Sequence, residues 1–570
     1  MTEFIHTQNS FANGEIAPEF YLTKNINGLS KLENMDVLAG GGLTRRPGLV
    51  DIATLSGVAR IFSFDISEQE NYILVFTNYA ISIYSNDTLV SNIVSPWSAN
   101  HLSKIQFAGR GDSMIFVHPD VPPYVLTKTG NTFALNKFSF YDTTNLLAQF
   151  PLMTYDDMRG VSITVSSGPY GVKSATFTTN VNYWTASNIG TIVKFNNQTW
   201  KIIEYVSAKV VYATSAIEYT LPSSPITAWY ESAFDNRHGW PFAVTFHQDR
   251  LVFGGTNYVP GGLWMSHVGD HHNFTAGTGL DDEGISTTLL SKERQQICSL
   301  ISSDKLQVLT SSGEWAIANQ PITPSNINIK QHTSVGSAVI RSLSPQKIEG
   351  ETVFISGTLK DIRKLSLDTL GEKYNADDLC AFSKHLIQQP IDIAYNSVLK
   401  QLYIVNTDGT MAVLNQNSTL GISAWAQYTT YGKFVSVATS GGETFVILVK
   451  NNTYKLCKFT NTALLDSGTY NIEFNVSGVP MNFSGHRPTH LKLRQINLRL
   501  WQTKSIFLNN MRVELPNEIY SASHPGFSGD ISMKFLGSQI DASVSPWNLH
   551  GSEPMPVTIF SVTVYGRYEI

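Results

Sequence analysis

The densest run of side chains able to bind a metal or carry a proton is His267, Asp270, His271 and His272. Imidazole and carboxylate are zinc ligands. Adjacent residues of a strand point to opposite faces, however, and Gly269–Asp270 reads as a turn, so the run is read as a surface or interface loop. Asp281, Asp282 and Glu283 form a short acidic run. A calcium loop wants alternating oxygen ligands around a turn glycine, and this run lacks both, so it too is read as a solvated loop. No GxSxG elbow, phosphate-binding glycine loop or HExxH helix occurs. Paired glycosidase carboxylates need not be close in sequence, and nothing local marks such a pair. Cys298, Cys380 and Cys457 are odd in number and widely spaced, without a CxxC pair. They read as buried thiols rather than as a zinc or disulfide framework. Arg494–Trp501 (RQINLRLW) interleaves basic and aromatic residues, which suits either a phosphate-touching strand or an ordinary solvent face. No catalytic, cofactor-binding or metal residue is assigned, and the expectation is a protein without enzymatic activity.

The elements that position these residues are strands. Of the 570 residues only 15% are charged, against 41 Gly, 24 Tyr and 30 Phe. Ordinary soluble domains carry about 25% charge, so this chain suits a β-rich protein whose surface is partly covered by neighbours. The net charge of −5 and pI near 6.3 lack the basic stripe of a protein built to grip nucleic acid. The first twenty residues show neither a basic nor an apolar signal region, and no apolar run of about 18 residues occurs. Neither secretion nor stable membrane insertion is therefore expected.

Short apolar runs ended by Gly, Asn, Asp or Ser recur along the chain. Seven pair up as hairpins: Tyr72–Phe76 with Ala80–Tyr84, Met114–Val117 with Tyr124–Leu126, Arg250–Phe253 with Leu263–Ser266, Lys305–Leu309 with Trp315–Ile317, Thr352–Ile355 with Ile362–Leu365, Gln401–Val405 with Thr410–Leu414, and Thr444–Val449 with Thr453–Cys457. Most follow another apolar run, such as Ile105–Phe107, Ala243–Phe246, Ile297–Ile301, Ile391–Ala394 or Phe434–Val437. Three or four short strands repeated in this way predict the blades of a β-propeller, with stacked β-sandwiches as the alternative. The fold class is mainly β: a β-propeller-like body with an inserted small β-domain and a C-terminal antiparallel β-region. The divisions are 1–57 (N-terminal segment), 58–139 (first blades), 140–238 (inserted β-domain), 239–460 (remaining blades) and 461–570 (C-terminal region). Leu491 and Leu493 alternate on one parity and Ile496, Leu498 and Leu500 on the other, so a bulge or a break is expected at Arg494–Gln495. Asn27–Glu33 and the segment around Asp378–Leu386 are the short helix candidates.

Residues 10–48 read SFANGEIAPEFYLTKNINGLSKLENMDVLAGGGLTRRPG. This resembles the opening of tail proteins of short-tailed phages known as tail nozzle, tail tubular protein B or phage stabilisation protein. The matching residues are Phe11, Gly14, Ile16, Ala17 and Pro18, then Gly41, Gly42, Leu43, Arg45, Arg46, Pro47 and Gly48. Residues 231–283 resemble a second stretch of the same family through Gly239, Trp240, Pro241, His247, Gln248, Arg250, Leu251, Gly254, Gly255, Trp264, Ser266, Gly269, Asp270 and Phe274. His271 and His272 stand where the family has aromatics, which weakens the metal reading further. LTSSGEW (309–315) and NTDGT (406–410) are shorter matches, and the C-terminal region matches loosely.

The resemblance implies a structural protein of the virion tail, assembled in the host cytoplasm, with a propeller-like body. Six copies would close a ring below the tail adaptor, with tail fibres around that junction. Double-stranded DNA would pass transiently and non-specifically through the central channel on its way out. No cofactor is implied. Arg45 and Arg46, beside a rigid turn, are read as an inter-subunit contact toward carboxylates, with an internal packing role as the other reading. The same protein type occurs in prophages and in gene-transfer-agent-like particles. The rival readings are a receptor- or glycan-binding or glycan-degrading tail protein on a β-scaffold, and a non-viral propeller scaffold. The inserted region 140–238 is the expected gate.

Overall fold

The structure, a computed structural model, describes residues 2–21, 27–140, 149–277, 279–290, 295–368, 373–481, 490–520, 524–535, 539–541 and 544–569. All seven hairpins form, and each supplies the second and third strands of a sheet whose strands follow chain order. Six of these sheets span residues 60–94, 106–137, 243–288, 297–333, 346–378 and 390–428. The seventh spans 433–460 and takes its fourth strand, Gly48–Leu55, from the N-terminal segment, antiparallel to Thr453–Thr460. The body is β-propeller-like. Middle strands such as Arg250–Gly254 and Gln401–Asn406 are buried along their whole length, which is why they read as apolar runs. Outermost strands such as Thr88–Val94 and Thr132–Lys137 are largely exposed.

The chain divides into two compact units. The first comprises 1–92, 345–366 and 377–570. Within it the first strands of successive sheets lie side by side: Pro390–Asn396 against Lys433–Ser440, and that strand against Arg60–Asp65. Tyr403, Val413, Phe434 and Val446 share one core between two of these sheets. A second core in this unit joins the chain ends. Thr558–Glu569 pairs with Thr2–Gln8 on one side and His490–Thr503 on the other. Phe11, Leu29, Leu32, Leu43, Leu491, Leu498 and Val562 bury together there. The N-terminal and C-terminal segments, read apart in the sequence, thus share one hydrophobic core.

The second unit comprises 93–344 and 367–376. Gln106–Arg110, Ala243–His247 and Ile297–Ser302 again lie side by side as first strands. Between the 106–137 and 243–288 sheets the chain builds a separate seven-stranded sheet within 152–232. Its core holds Phe177, Trp184, Trp200 and Trp229. The gate reading of this region partly concerns 141–148, outside the described residues.

Neither helix candidate forms. Leu29–Glu33 is a strand, paired with Phe474–Gly478 through a register shift between Leu29 and Lys31. The bulge turns Leu29 and Leu32 to one buried face, and that three-residue spacing mimics a helix. Around Asp378–Leu386 the chain ends a strand and makes a single 3-10 turn at Lys384–Leu386. At Arg494 the parity change is a bulge inside one continuous strand. It keeps Leu491, Leu493, Ile496, Leu498 and Leu500 all buried.

Candidate functional site: buried arginine clasps

The two long motif stretches converge on arginines that sequence alone would place at a surface. Arg46 is fully buried and donates from all five of its N–H positions. Nη1 and Nη2 reach Asp466 Oδ1 and Oδ2 at 3.0 and 2.7 Å. Nε donates to Asn34 Oδ1 at 2.8 Å, and the remaining two donors go to the carbonyls of Pro47 and Thr429 at 2.9 and 2.8 Å. Its guanidinium also packs over the Tyr428 and Phe459 rings. Asn34 holds the other end, at φ 55, and donates Nδ2 to the Glu473 carbonyl at 2.6 Å.

Arg45 points elsewhere but is also buried. It donates to the carbonyls of Met555 (3.0 Å), Glu553 and Ile472. Burial, with Arg46 beside it, pushes its pKa down to about 10. Arg46 is spent inside its own unit, and Arg45 keeps only its buried Nε without a hydrogen-bond partner. The inter-subunit reading of this pair is therefore corrected to internal packing: no donor of Arg46 is left for another copy.

The flanking glycines are fixed by close approach. Gly14 sits at φ +60, and a Cβ there would lie 2.3 Å from the Trp425 carbonyl oxygen. A Cβ on Gly48 would meet the Leu465 oxygen at 2.4 Å. The Gly41 carbonyl oxygen accepts from the Phe11 amide, Gly42 packs against Phe560, and Pro18 opens an exposed 3-10 turn. Next to this clasp, buried Asp36 accepts from Gln401 Nε2 at 2.9 Å and from the Tyr428 hydroxyl. Burial pushes its carboxyl up to about 6.

The second stretch builds an analogous clasp in the other unit. Arg250, 1% exposed, donates to four carbonyls: Ser266 (2.7 Å), Glu283 (2.6 Å), Asp281 (2.8 Å) and Ile322 (3.3 Å). Gln248 and Asp249, at φ 47 and 57, form the two-residue hairpin turn before it. Gln248 bridges to the Asn319 carbonyl and the Ile322 amide at 2.9 and 2.7 Å. Trp264 is fully buried against Phe234, Pro241 is buried, and Gly254 and Gly255 leave room for Ile297 and the Pro260 carbonyl. Gly239 exchanges backbone hydrogen bonds with Asp235. Gly269 and Asp270 are exposed.

The histidines of the dense run take separate partners. His267 Nε2 lies 2.8 Å from the Thr275 carbonyl, His272 Nδ1 lies 2.7 Å from that of Ser139, and His271 contacts Arg110 and Phe246. Glu283 turns inward and accepts from the Gly279 amide. Arg499 pairs with Asp530 through two bonds of 2.8 and 2.9 Å, and Arg494 with Glu3 at 2.9 Å. All three cysteines are free and buried, and burial pushes the Cys298 and Cys380 thiols up to about 12.

One polar cluster carries no motif signal that sequence reading used. His238, wholly buried and stacked on Tyr155, meets Asp235 at 3.0 Å and Glu231 at 3.5 Å. Tyr183 and Trp229 donate to Glu231 at 2.8 and 3.2 Å. Burial pushes Glu231 up. It acts the same way on Asp235, but the hydrogen bond and charge of His238 outweigh it and hold Asp235 below its usual range.

No family model and no curated protein matches the chain. Among solved structures it is similar to U3-55K, at 6% identity over 72% of this chain and 99% of that one, with a TM-score of 0.37. It is also similar to the Pan2 WD40 domain of Neurospora crassa (10% identity, 73% and 96% covered, TM-score 0.33). BamB from Moraxella catarrhalis gives 10% identity, 73% and 100% coverage and a TM-score of 0.33. At scores this low the likenesses carry no argument. The propeller-like body rests on the strand order described above.

Proposed function

We propose that the protein is a structural, non-enzymatic subunit of a short phage tail: the nozzle at its distal end. Six copies would form a ring that gives DNA its exit channel and supports tail fibres near the tail adaptor. The observation that carries this reading is what the two family-like stretches do. Each contributes a buried arginine whose donors tie separate parts of the chain together, Arg46 to Asp466 and Arg250 to four carbonyls. Residues used in this way hold the fold together, as a structural subunit requires.

The net charge of −5 is in keeping with a conduit. Each neutralised phosphate strengthens binding through counterion release, and a channel must not hold its cargo. Light scattering on the purified chain, alone and mixed with the tail adaptor, tests the reading. It predicts a six-copy mass, at least with the adaptor present. A monomer under both conditions would count against it and favour a binding module.

A further inference from the structure

A row of side chains crosses the sheet that extends the 390–428 strands into the terminal core. Glu33 is directly opposite Asn475, Asn475 opposite His550, and His550 opposite Phe507. Strands lie 4.7–4.9 Å apart, so the row runs roughly 14 Å. It floors a cleft of about 500 Å³ that Glu473 and Asn510 also line.

The donors and acceptors in the cleft are of a particular kind. Phe507 is half-buried and stacked on the His550 imidazole, with centroids 5.3 Å apart at 13°. His550 Nε2 lies 3.1 Å from Asn510 Oδ1, and Asn475 Oδ1 accepts from Asn548 at 2.5 Å. Both contacts use the amide oxygens, so the Nδ2 donors of Asn475 and Asn510 have no hydrogen-bond partner among the described residues. Glu33 accepts from Thr429 and lies 3.9 Å from Lys31, which is shared with Glu15. Glu473 is exposed, and its carboxylate has no partner among the described residues.

Amide donors, carboxylate acceptors and one aromatic face match a pyranose. Its hydroxyls both donate and accept, and its C–H face stacks on a ring. The carboxylates repel phosphate and acidic sugars. We propose that this cleft binds a neutral oligosaccharide. The proposal stands apart from the nozzle assignment, because ring formation and sugar binding are measured separately.

The test is a glycan array of neutral and anionic oligosaccharides, followed by calorimetric titration of the neutral hits against the full chain. Binding confined to neutral glycans is expected. It should weaken about tenfold or more in Phe507→Ala and measurably in Glu473→Gln, an exposed change that leaves the fold intact. Trp501→Ala, an exposed aromatic outside the cleft, should bind as the parent does. No neutral glycan bound, preference for anionic glycans, or unchanged affinity in both Phe507→Ala and Glu473→Gln would overturn the proposal.

Discussion

Arg46 and Asp466 are 420 positions apart in the chain and meet through two hydrogen bonds of 3.0 and 2.7 Å, with almost no exposure of either side chain. A buried pair of this kind stabilises little relative to an apolar replacement, but breaking it strands a charge. Asp466→Ala is therefore expected to destabilise the protein by about 3–5 kcal/mol. The double change Arg46→Met, Asp466→Leu removes the stranded charge but leaves Asn34 and the Pro47 and Thr429 carbonyls without this donor, so it should recover part of that loss. Urea unfolding midpoints read both, and equal destabilisation by the single and double variants would show that the charge is not what matters.

Arg250 serves four carbonyls with a planar fork that lysine cannot reproduce. Arg250→Lys should cost about 2 kcal/mol or more, since buried acceptors are left unpaired. Circular dichroism during urea unfolding checks this. A midpoint within error of the parent would contradict the clasp.

Asp36 gives a pH dependence of definite sign. Its carboxyl is raised from 3.8 in the unfolded chain to about 6 in the fold. The protonated form therefore supports the fold fully below pH 4, and that contribution fades as pH rises through 6. Relative to Asp36→Asn, the parent should lose up to about 3 kcal/mol between pH 4 and pH 7.5. Parallel stability curves for the two proteins would contradict the assignment.

Gly14 and Gly57 make a matched pair. A Cβ on Gly14 would collide with the Trp425 backbone at φ +60, whereas one on Gly57 meets nothing within 4 Å. Gly14→Ala should cost at least about 2 kcal/mol, and Gly57→Ala should stay within about 0.5 kcal/mol. Thermal melts of the two variants distinguish them, and equal melting temperatures would refute the packing argument.

The sequence made the hairpins legible because their strands are buried on both faces and end in turn residues. Lys450–Thr453 shows this: Asn451 and Asn452 both adopt positive φ, the two-residue turn that such a pair favours. The outermost strands were not legible. Thr132–Lys137 is mostly exposed, and its alternation is confined to the half-buried Phe133 and Leu135. Leu29–Glu33 looked helical because a bulge, invisible in one strand alone, sets its spacing. The union of the chain ends and the Arg46–Asp466 pair were hidden for another reason. Local pattern contains no record of a partner several hundred residues away. The motif stretches pointed to Arg45, Arg46 and Arg250 but not to their burial, because a lone arginine is normally a surface residue. Glu231, Asp235 and His238 lay inside the second stretch without standing out, since their meeting depends on the inserted sheet.

Negative-stain electron microscopy of the purified protein, alone and with the tail adaptor, tests the central claim most directly. The nozzle assignment predicts six-fold ring views with an axial channel, open or plugged. Particles that remain single propeller-sized bodies even beside the adaptor would contradict it.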